Sequence, residues 1–286
     1  NASRWGEQPI SFATPQGDIS REFRDELFNS GFTVVGDLSE TDDERFTVIH
    51  RNGGSVESGL SNKSLIESAD EGGLISLYWI ARIEDMNIRR DRDLVDWLSN
   101  QDYWFTTWGE WVTHQISSLS ITVETNSNST TFTNPTLDIW NTPGTVMVNN
   151  VDQYFGLEWS GVQYDPLEKE DRILRAGHRE ESSGLLFLTI PPGESVTIYN
   201  AKPLTISHEP SIFNGLKNGL TIAGHHTTNM REWSQDFRDS PLRFTWLIER
   251  SQVPSPTLIL PLLSISILIA TPIIIKKIIA SDKAHQ

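Results

Sequence analysis

One segment near the C-terminal end, residues 257–275, constrains the chain more than any other feature. It holds 19 residues without a charged side chain, and Lys276 and Lys277 follow it at once. As a helix it would be roughly 29 Å long, close to the hydrocarbon thickness of a bilayer. A buried core helix is the alternative, but helices of globular proteins normally keep a polar face, and this segment has none. The segment therefore predicts a transmembrane helix whose partner is the lipid bilayer.

The charges on either side of this segment predict its orientation. Three lysines and one acid follow it, whereas the 256 residues before it carry 20 basic and 37 acidic side chains, a net charge of −17. Short lysine-rich flanks stay on the cytoplasmic side of a membrane. We therefore expect an extracytoplasmic domain at 1–250, a linker at 251–256, the span at 257–275 and a cytoplasmic tail at 276–286. The expected location is the plasma membrane or an envelope.

Two further features agree with this topology. The chain starts at Asn1 and not at Met, as expected for a secreted domain whose signal peptide has been cleaved; a trimmed chain is the alternative. Three N-x-[ST] sequons predict glycosylation at Asn1, Asn62 and Asn128. Asn128 is the best of the three because it lies in a polar run that predicts an exposed loop.

The extracytoplasmic domain is rich in short β-branched and aromatic runs. About ten such runs without a regular alternation of helices predict a mainly β fold, an antiparallel β-sandwich or jelly roll and not an α/β fold. Two short helices are predicted at residues 18–29 and 91–98. The sequence 191–194, Pro-Pro-Gly-Glu, predicts a hairpin turn.

A polar break near residues 125–135 predicts a division of this domain. Residues 1–125 would form an N-terminal α+β part, and residues 126–250 a C-terminal β-sandwich part.

Composition excludes several classes of site. The chain has no Cys, which excludes disulfides, Cys-ligated zinc, iron–sulfur clusters and Cys nucleophiles. Its acidic balance argues against nucleic acid as a partner. Carboxylate runs such as 42–44 are interpreted as solvated loops. Since no nucleotide-binding loop or nucleophile motif occurs, we predict no catalytic residue and no cofactor.

Histidines are the weak candidates for a metal site. His208, His225 and His226 could combine imidazoles around one ion, with His178 as a further member. Their spacing matches no ligand motif, and adjacent histidines in a strand point to opposite faces. Ordinary loop or surface histidines are the favoured interpretation.

Tryptophans are the candidates for a binding surface. Trp104, Trp108 and Trp111 would share one helical face at i, i+4 and i+7. Large side chains in a core are the favoured interpretation, and a partner surface, a sugar platform or a membrane-interface belt are the alternatives.

Together these features predict a single-pass, membrane-anchored structural or interaction protein that is not an enzyme. It would be a surface component of a cell or virion envelope, or an accessory subunit of a membrane complex. Its partners would be other membrane or envelope proteins or a second copy of itself. A membrane-tethered hydrolase or metal-dependent enzyme, and a carbohydrate-binding surface receptor, are the alternatives.

Overall fold

The structure, a computed structural model, describes residues 3–14, 18–37, 39–54, 63–69, 73–80, 92–152 and 155–225. All of them lie in one compact unit, 1–236, and a second unit, 237–286, lies outside the described residues. The described residues form 14 strands and four helices, so the mainly β class is confirmed. The helices are α1 (Arg21–Asn29), α2 (Lys63–Ala69), α3 (Arg92–Ser99) and α4 (Trp108–Ser120).

Two three-stranded sheets are parallel throughout. Their strand orders are β1-β2-β3 and β4-β14-β5. The strands are β1 (Ser11–Thr14), β2 (Val34–Asp37), β3 (Thr47–His50), β4 (Leu74–Ile80), β5 (Tyr103–Phe105) and β14 (Asn218–His225). The chain just after β3 joins the two sheets, because Gly53 N–H donates to Ser76 O (3.0 Å) and Tyr78 N–H donates to Gly54 O (2.9 Å).

Helices cover both faces of these parallel sheets, as parallel sheets require. On one face, Leu27 of α1 packs in a cluster with Val35, while α2 and α3 pack on the face of β4 that carries Ile75 and Leu77. On the other face lies α4, where Val112 shares a cluster with Val34, Ile49 and Leu74 of three different strands. This part of the protein is therefore an α/β structure.

The other two sheets are antiparallel and form a sandwich. Their orders are β10-β11-β8-β13 and β6-β7-β12-β9. The strands are β6 (Thr122–Thr125), β7 (Ser129–Thr133), β8 (Gly144–Asn149), β9 (Gly156–Trp159), β10 (Gly177–Glu180), β11 (Leu186–Ile190), β12 (Ser195–Tyr199) and β13 (Thr205–Ser207). A single apolar core unites them, with Phe132 and Ile198 from one sheet and Val146 and Leu188 from the other.

A second face of α4 packs against this sandwich. The face is polar, since Thr113, His114, Ser117 and Ser118 are all fully buried there. It approaches β8 closely: a Cβ on Gly144 would lie 2.5 Å from the backbone of Ser117 and Ser118. Helix α4 is thus the common element that both parts of the protein contact.

Three expectations about the fold need correction. Four helices occur among the described residues in place of two, and two of the four sheets are parallel, so excluding an α/β fold was wrong for the N-terminal part. The predicted hairpin at 191–194 is also wrong, because β11 and β12 belong to different sheets. The physical reason is that one buried strand looks the same in a parallel sheet, a sandwich or a hairpin until its partner is known.

Two further expectations are not tested by the described residues. No helix among the described residues is long and apolar enough to cross a membrane, and the predicted span at 257–275 lies outside them. The predicted boundary between residues 125 and 126 stays a prediction.

Candidate functional site at the carboxyl ends of β1, β2 and β3

A cavity of about 600 Å³ opens where β1, β2 and β3 end. The carboxyl ends of parallel strands meet at one edge of the sheet, and ligands of open α/β sheets bind there. Its walls come from the segments that follow β1 and β2, from β3 itself and from α1. The lining residues are Asp18, Ile19, Arg24, Glu40, Thr41, Asp42, Val48 and His50.

The local sequence explains how α1 reaches this edge. Ser20 caps the helix, because its Oγ accepts a hydrogen bond from Phe23 N–H over 3.3 Å. The helix ends at Asn29, and Gly31 follows the C-cap Ser30 with a φ of +91°, which suits a residue without a side chain. Leu27 anchors the buried face of the helix. The N-terminal turn of α1 is therefore held beside the end of β1, and Arg24 faces the cavity.

Two acidic residues of the cavity lining are neighbours across a backbone bridge. Ile19 N–H donates to Glu40 O over 3.2 Å, which holds the segment after β1 beside the segment after β2. This contact places Asp18 and Glu40 opposite each other. Both side chains are exposed, and neither makes a side-chain hydrogen bond or ion pair with another described residue.

The third acid of the cavity is paired. Arg24 Nη1 donates to Thr41 Oγ1 over 3.0 Å and also to Asp42 Oδ1. The hydrogen bond from Arg24 lowers the pKa of Asp42. The guanidinium of Arg24 is thus paired with the carboxylate of Asp42. Asp18 and Glu40 give the cavity two further carboxylates.

This arrangement can bind a group but shows no reaction centre. The free carboxylates can accept hydrogen bonds from a cation, and the exposed imidazole of His50 adds a further polar contact. Among the described residues no group of three His, Asp or Glu side chains is arranged to hold a metal ion. The lining residues can therefore recognise a positively charged group that donates hydrogen bonds.

Of the three predicted tryptophans, one is fully buried and two are half-buried. Trp104 belongs to β5 and not to the helix; it is fully buried, and its Nε1 donates to Ser211 O over 3.0 Å. Trp108 and Trp111 lie on α4, half-buried, and donate to Ser76 Oγ and Gly73 O, both over 3.2 Å. All three indole N–H groups are thus paired within the chain, and Trp104 has no exposed face for a partner.

Among the described residues, the predicted histidines do not form one cluster. His208 is exposed, and its Nδ1 lies 3.2 Å from Ser118 O. His178 is on β10, where burial lowers its pKa. The side chain of His225 and the whole of His226 lie outside the described residues.

Of the predicted sequons, one lies in the described part of the chain. Asn128 is exposed in the turn between β6 and β7, where Asn126 N–H donates to Ser129 O over 2.8 Å. Asn1 and Asn62 lie outside the described residues. Glycosylation at all three positions stays a prediction.

No protein family, curated protein or solved structure matches this chain.

The cavity at the strand ends was missed in the sequence. The acids of residues 42–44 were interpreted as a solvated loop, because sequence alone does not show that three strands end at the same edge. One available signal was the pattern of a short apolar run, a capped helix and a second apolar run in residues 10–37, which is typical of a βαβ unit.

Proposed function

We propose that this chain is a single-pass, membrane-anchored protein whose extracytoplasmic domain binds a basic side chain of a partner membrane or envelope protein. The observation that carries the proposal is the uncharged segment 257–275 with its lysine flank. The anchor fixes the domain at a membrane surface, where a binding partner in the same membrane is present at high effective concentration.

The cavity at the ends of β1, β2 and β3 supports the choice of a basic side chain. Three carboxylates and one guanidinium line it, so it attracts positive charge. Asp18 and Glu40 are exposed and accessible from solvent. A lysine or arginine side chain could place its charged end between them without displacing the bond of Arg24 to Asp42.

The membrane anchor can be tested in the full chain. Leu263→Arg with Ile267→Arg places two charges near the centre of the segment, each costing about 2.5–3.5 kcal/mol of insertion free energy. We expect the unchanged chain to stay with membranes during alkaline extraction and this variant to be released. The matched control, Leu119→Arg with Val162→Arg, adds the same charges at exposed positions and should stay membrane-bound. Release of the unchanged chain would contradict the anchor.

The cavity can be tested with small mimics of basic side chains. Butylamine and methylguanidine copy the ends of lysine and arginine, and saturation-transfer NMR on the full chain in micelles detects weak binding. Asp18→Asn with Glu40→Gln should abolish the transfer signal. The matched control, Asp138→Asn with Glu170→Gln, removes two exposed acids outside the cavity and should leave it unchanged. Equal signals in both double variants would rule the cavity out as the binding site.

No specific observation supports either alternative function at the residues that the sequence suggested for it. His208 contacts a main-chain carbonyl, and the indole donors of the three predicted tryptophans are already paired. We therefore propose neither an enzyme centred on these histidines nor a sugar platform built from these tryptophans.

A further inference from the structure

His50, the last residue of β3, brings an imidazole to the cavity at the strand ends. Side chains alternate along β3, so Val48 and His50 lie on the same face of the strand. Both residues line the cavity, and His50 is exposed, whereas Ile49 between them is buried on the other face. A change in the charge of His50 therefore acts on whatever the cavity holds.

Charged residues from several elements lie around His50. Those that line the cavity with it are Asp18 before α1, Arg24 on α1, and Glu40 and Asp42 after β2. In the register of the sheet, Asp37 of β2 is the residue opposite His50. Strand β3 itself carries no other charged side chain. Carboxylates thus outnumber guanidinium groups in the lining, and His50 is the lining residue whose protonation adds a positive charge.

From this placement we propose that His50 makes the cavity pH-sensitive, so that the basic side chain of the partner is held at neutral pH and released in acid. The inference rests on the proposed function, because it concerns the same site. A neutral imidazole has one nitrogen that accepts a hydrogen bond, so it can contribute to binding an ammonium or guanidinium group. A protonated imidazole has no acceptor and carries a positive charge, so it repels the same group.

The size of the cavity makes this repulsion effective. A cavity of about 600 Å³ is roughly 10 Å across, which is about one Debye length at about 0.1 M salt. A cation in the cavity is therefore not fully screened from the imidazole of His50. Two like charges roughly 7 Å apart in water repel each other strongly enough to weaken binding about threefold. Because one proton is involved, the affinity can fall by at most about tenfold per pH unit.

The other residue types in the lining keep their charge over the same range of pH. Histidine ordinarily changes its charge between about pH 5 and about pH 8. Carboxyl groups ordinarily titrate near about pH 4, and a guanidinium group stays charged throughout. The hydrogen bond from Arg24 lowers the pKa of Asp42 further, which keeps that carboxylate ionised. A change of affinity between weakly acidic and neutral pH is therefore specific to His50 among the lining residues.

The test uses the full chain in micelles and butylamine, which stays positively charged at every pH used. Its dissociation constant is measured by saturation-transfer titration at about pH 7.5 and about pH 5.5, on either side of the ordinary histidine range. We expect the affinity of the unchanged chain to be lower at the acidic pH by about threefold or more.

Two variants of His50 separate its charge from its presence. His50→Gln keeps a polar side chain that stays neutral, so it should bind butylamine equally at both pH values. His50→Arg carries a fixed positive charge, so its affinity should be low at both pH values. The matched control is His208→Gln, which removes an exposed histidine outside the cavity and should keep the pH dependence of the unchanged chain.

Circular dichroism at both pH values first establishes that each variant is folded, and His50→Arg serves if His50→Gln is not. A pH dependence that is present in the unchanged chain and in the control but lost in the His50 variants supports the inference. Binding without pH dependence in the unchanged chain, or the same dependence in the His50 variants, would overturn it and leave the proposed function standing. No binding of butylamine at either pH would overturn both.

Discussion

Two regions of this protein are buried to the same degree but differ in the polarity of their side chains. The interior of the sandwich is apolar, with Phe132, Val146, Leu188 and Ile198 all fully buried. The contact between α4 and the sandwich is polar, although its side chains are equally inaccessible. The buried residues of that contact include Thr113, His114, Ser117, Ser118, Asn134, Thr142 and Thr145.

The polar region holds together because its groups pair across the contact. Thr113 Oγ1 lies 2.7 Å from Thr142 Oγ1, and Ser118 Oγ accepts from Thr145 N–H over 2.9 Å. Asn134 Nδ2 donates to Ser117 Oγ over 2.8 Å. Apolar packing depends on volume, whereas these bonds depend on direction, so they fix one orientation of the sandwich on α4. The comparison predicts that the two regions respond differently to the same kind of substitution.

The largest effect is expected in the apolar region. Phe132→Ala removes a fully buried aromatic ring and leaves a cavity, so we expect a loss of about 3–5 kcal/mol in the free energy of unfolding. Chemical denaturation of the full chain in micelles measures it. Val162→Ala, at an exposed position, should change the value by less than about 0.5 kcal/mol. A loss below about 1 kcal/mol for Phe132→Ala would mean that the sandwich core is not packed as described.

A smaller effect is expected where α4 touches β8. Gly144→Ala would bring a Cβ to 2.5 Å from the backbone of Ser117 and Ser118, which cannot move like a side chain. We expect a loss of about 1–3 kcal/mol, measured by the same denaturation. Gly156→Ala is the control, because its Cβ would meet only the side chain of Tyr199, at 3.3 Å. If both variants are equally stable, the helix does not lie so close to the strand.

The extent to which the sequence predicts this fold differs between the two regions. Apolar runs in the sequence located β8, β11, β12 and β13, whereas no such run located β7, β9 or β10. Helix α4 was not among the predicted helices, because Val112, Thr113 and Ile116 favour strands locally. Its one clear signal was the capping box, in which Thr107 and Glu110 bond to each other's main-chain N–H groups over 3.2 and 3.1 Å.

The sites could be predicted less well than the fold. Asp18 was assigned to a helix start and Asp42 to a loop, and only the parallel pairing of β1, β2 and β3 brings them to one cavity. Residues of this kind become neighbours through tertiary structure, which no local pattern encodes.

A double-mutant cycle tests the hydrogen bond between Thr113 and Thr142 in the polar region. Thr113→Val leaves the hydroxyl of Thr142 buried and unpaired, so we expect a loss of about 1–2 kcal/mol. Replacing Thr142 by Val as well removes the orphaned hydroxyl and should recover part of the loss. A coupling energy of about 0.5 kcal/mol or more between the two positions would be measured by denaturation. Strict additivity would mean that the two hydroxyls do not bond.

The smallest effect is expected from pH. His114 is fully buried between the carbonyl oxygens of Pro143 and Ile212, at 2.7 and 3.0 Å, and beside the ring of Trp104. Burial lowers its pKa, and burial likewise lowers the pKa of His178. Below the ordinary histidine pKa of about 6.5, the unfolded chain therefore binds protons that the folded chain does not bind.

Stability should consequently be flat above that pH and fall below it, by at most about 1.4 kcal/mol per pH unit for each histidine. Denaturation at several pH values measures the slope, and His114→Asn should make it shallower. A slope that is unchanged in this variant would show that His114 does not contribute to it.

The central claim is that a membrane anchor holds this domain outside the cytoplasm, and protease protection tests it most directly. Intact cells that express the full chain with an epitope after Gln286 are treated with protease. We predict that the region before residue 251 is digested and that a short C-terminal fragment containing Lys276 keeps its epitope until the membrane is permeabilised. Protection of the large domain, or digestion of the epitope in intact cells, would contradict the claim.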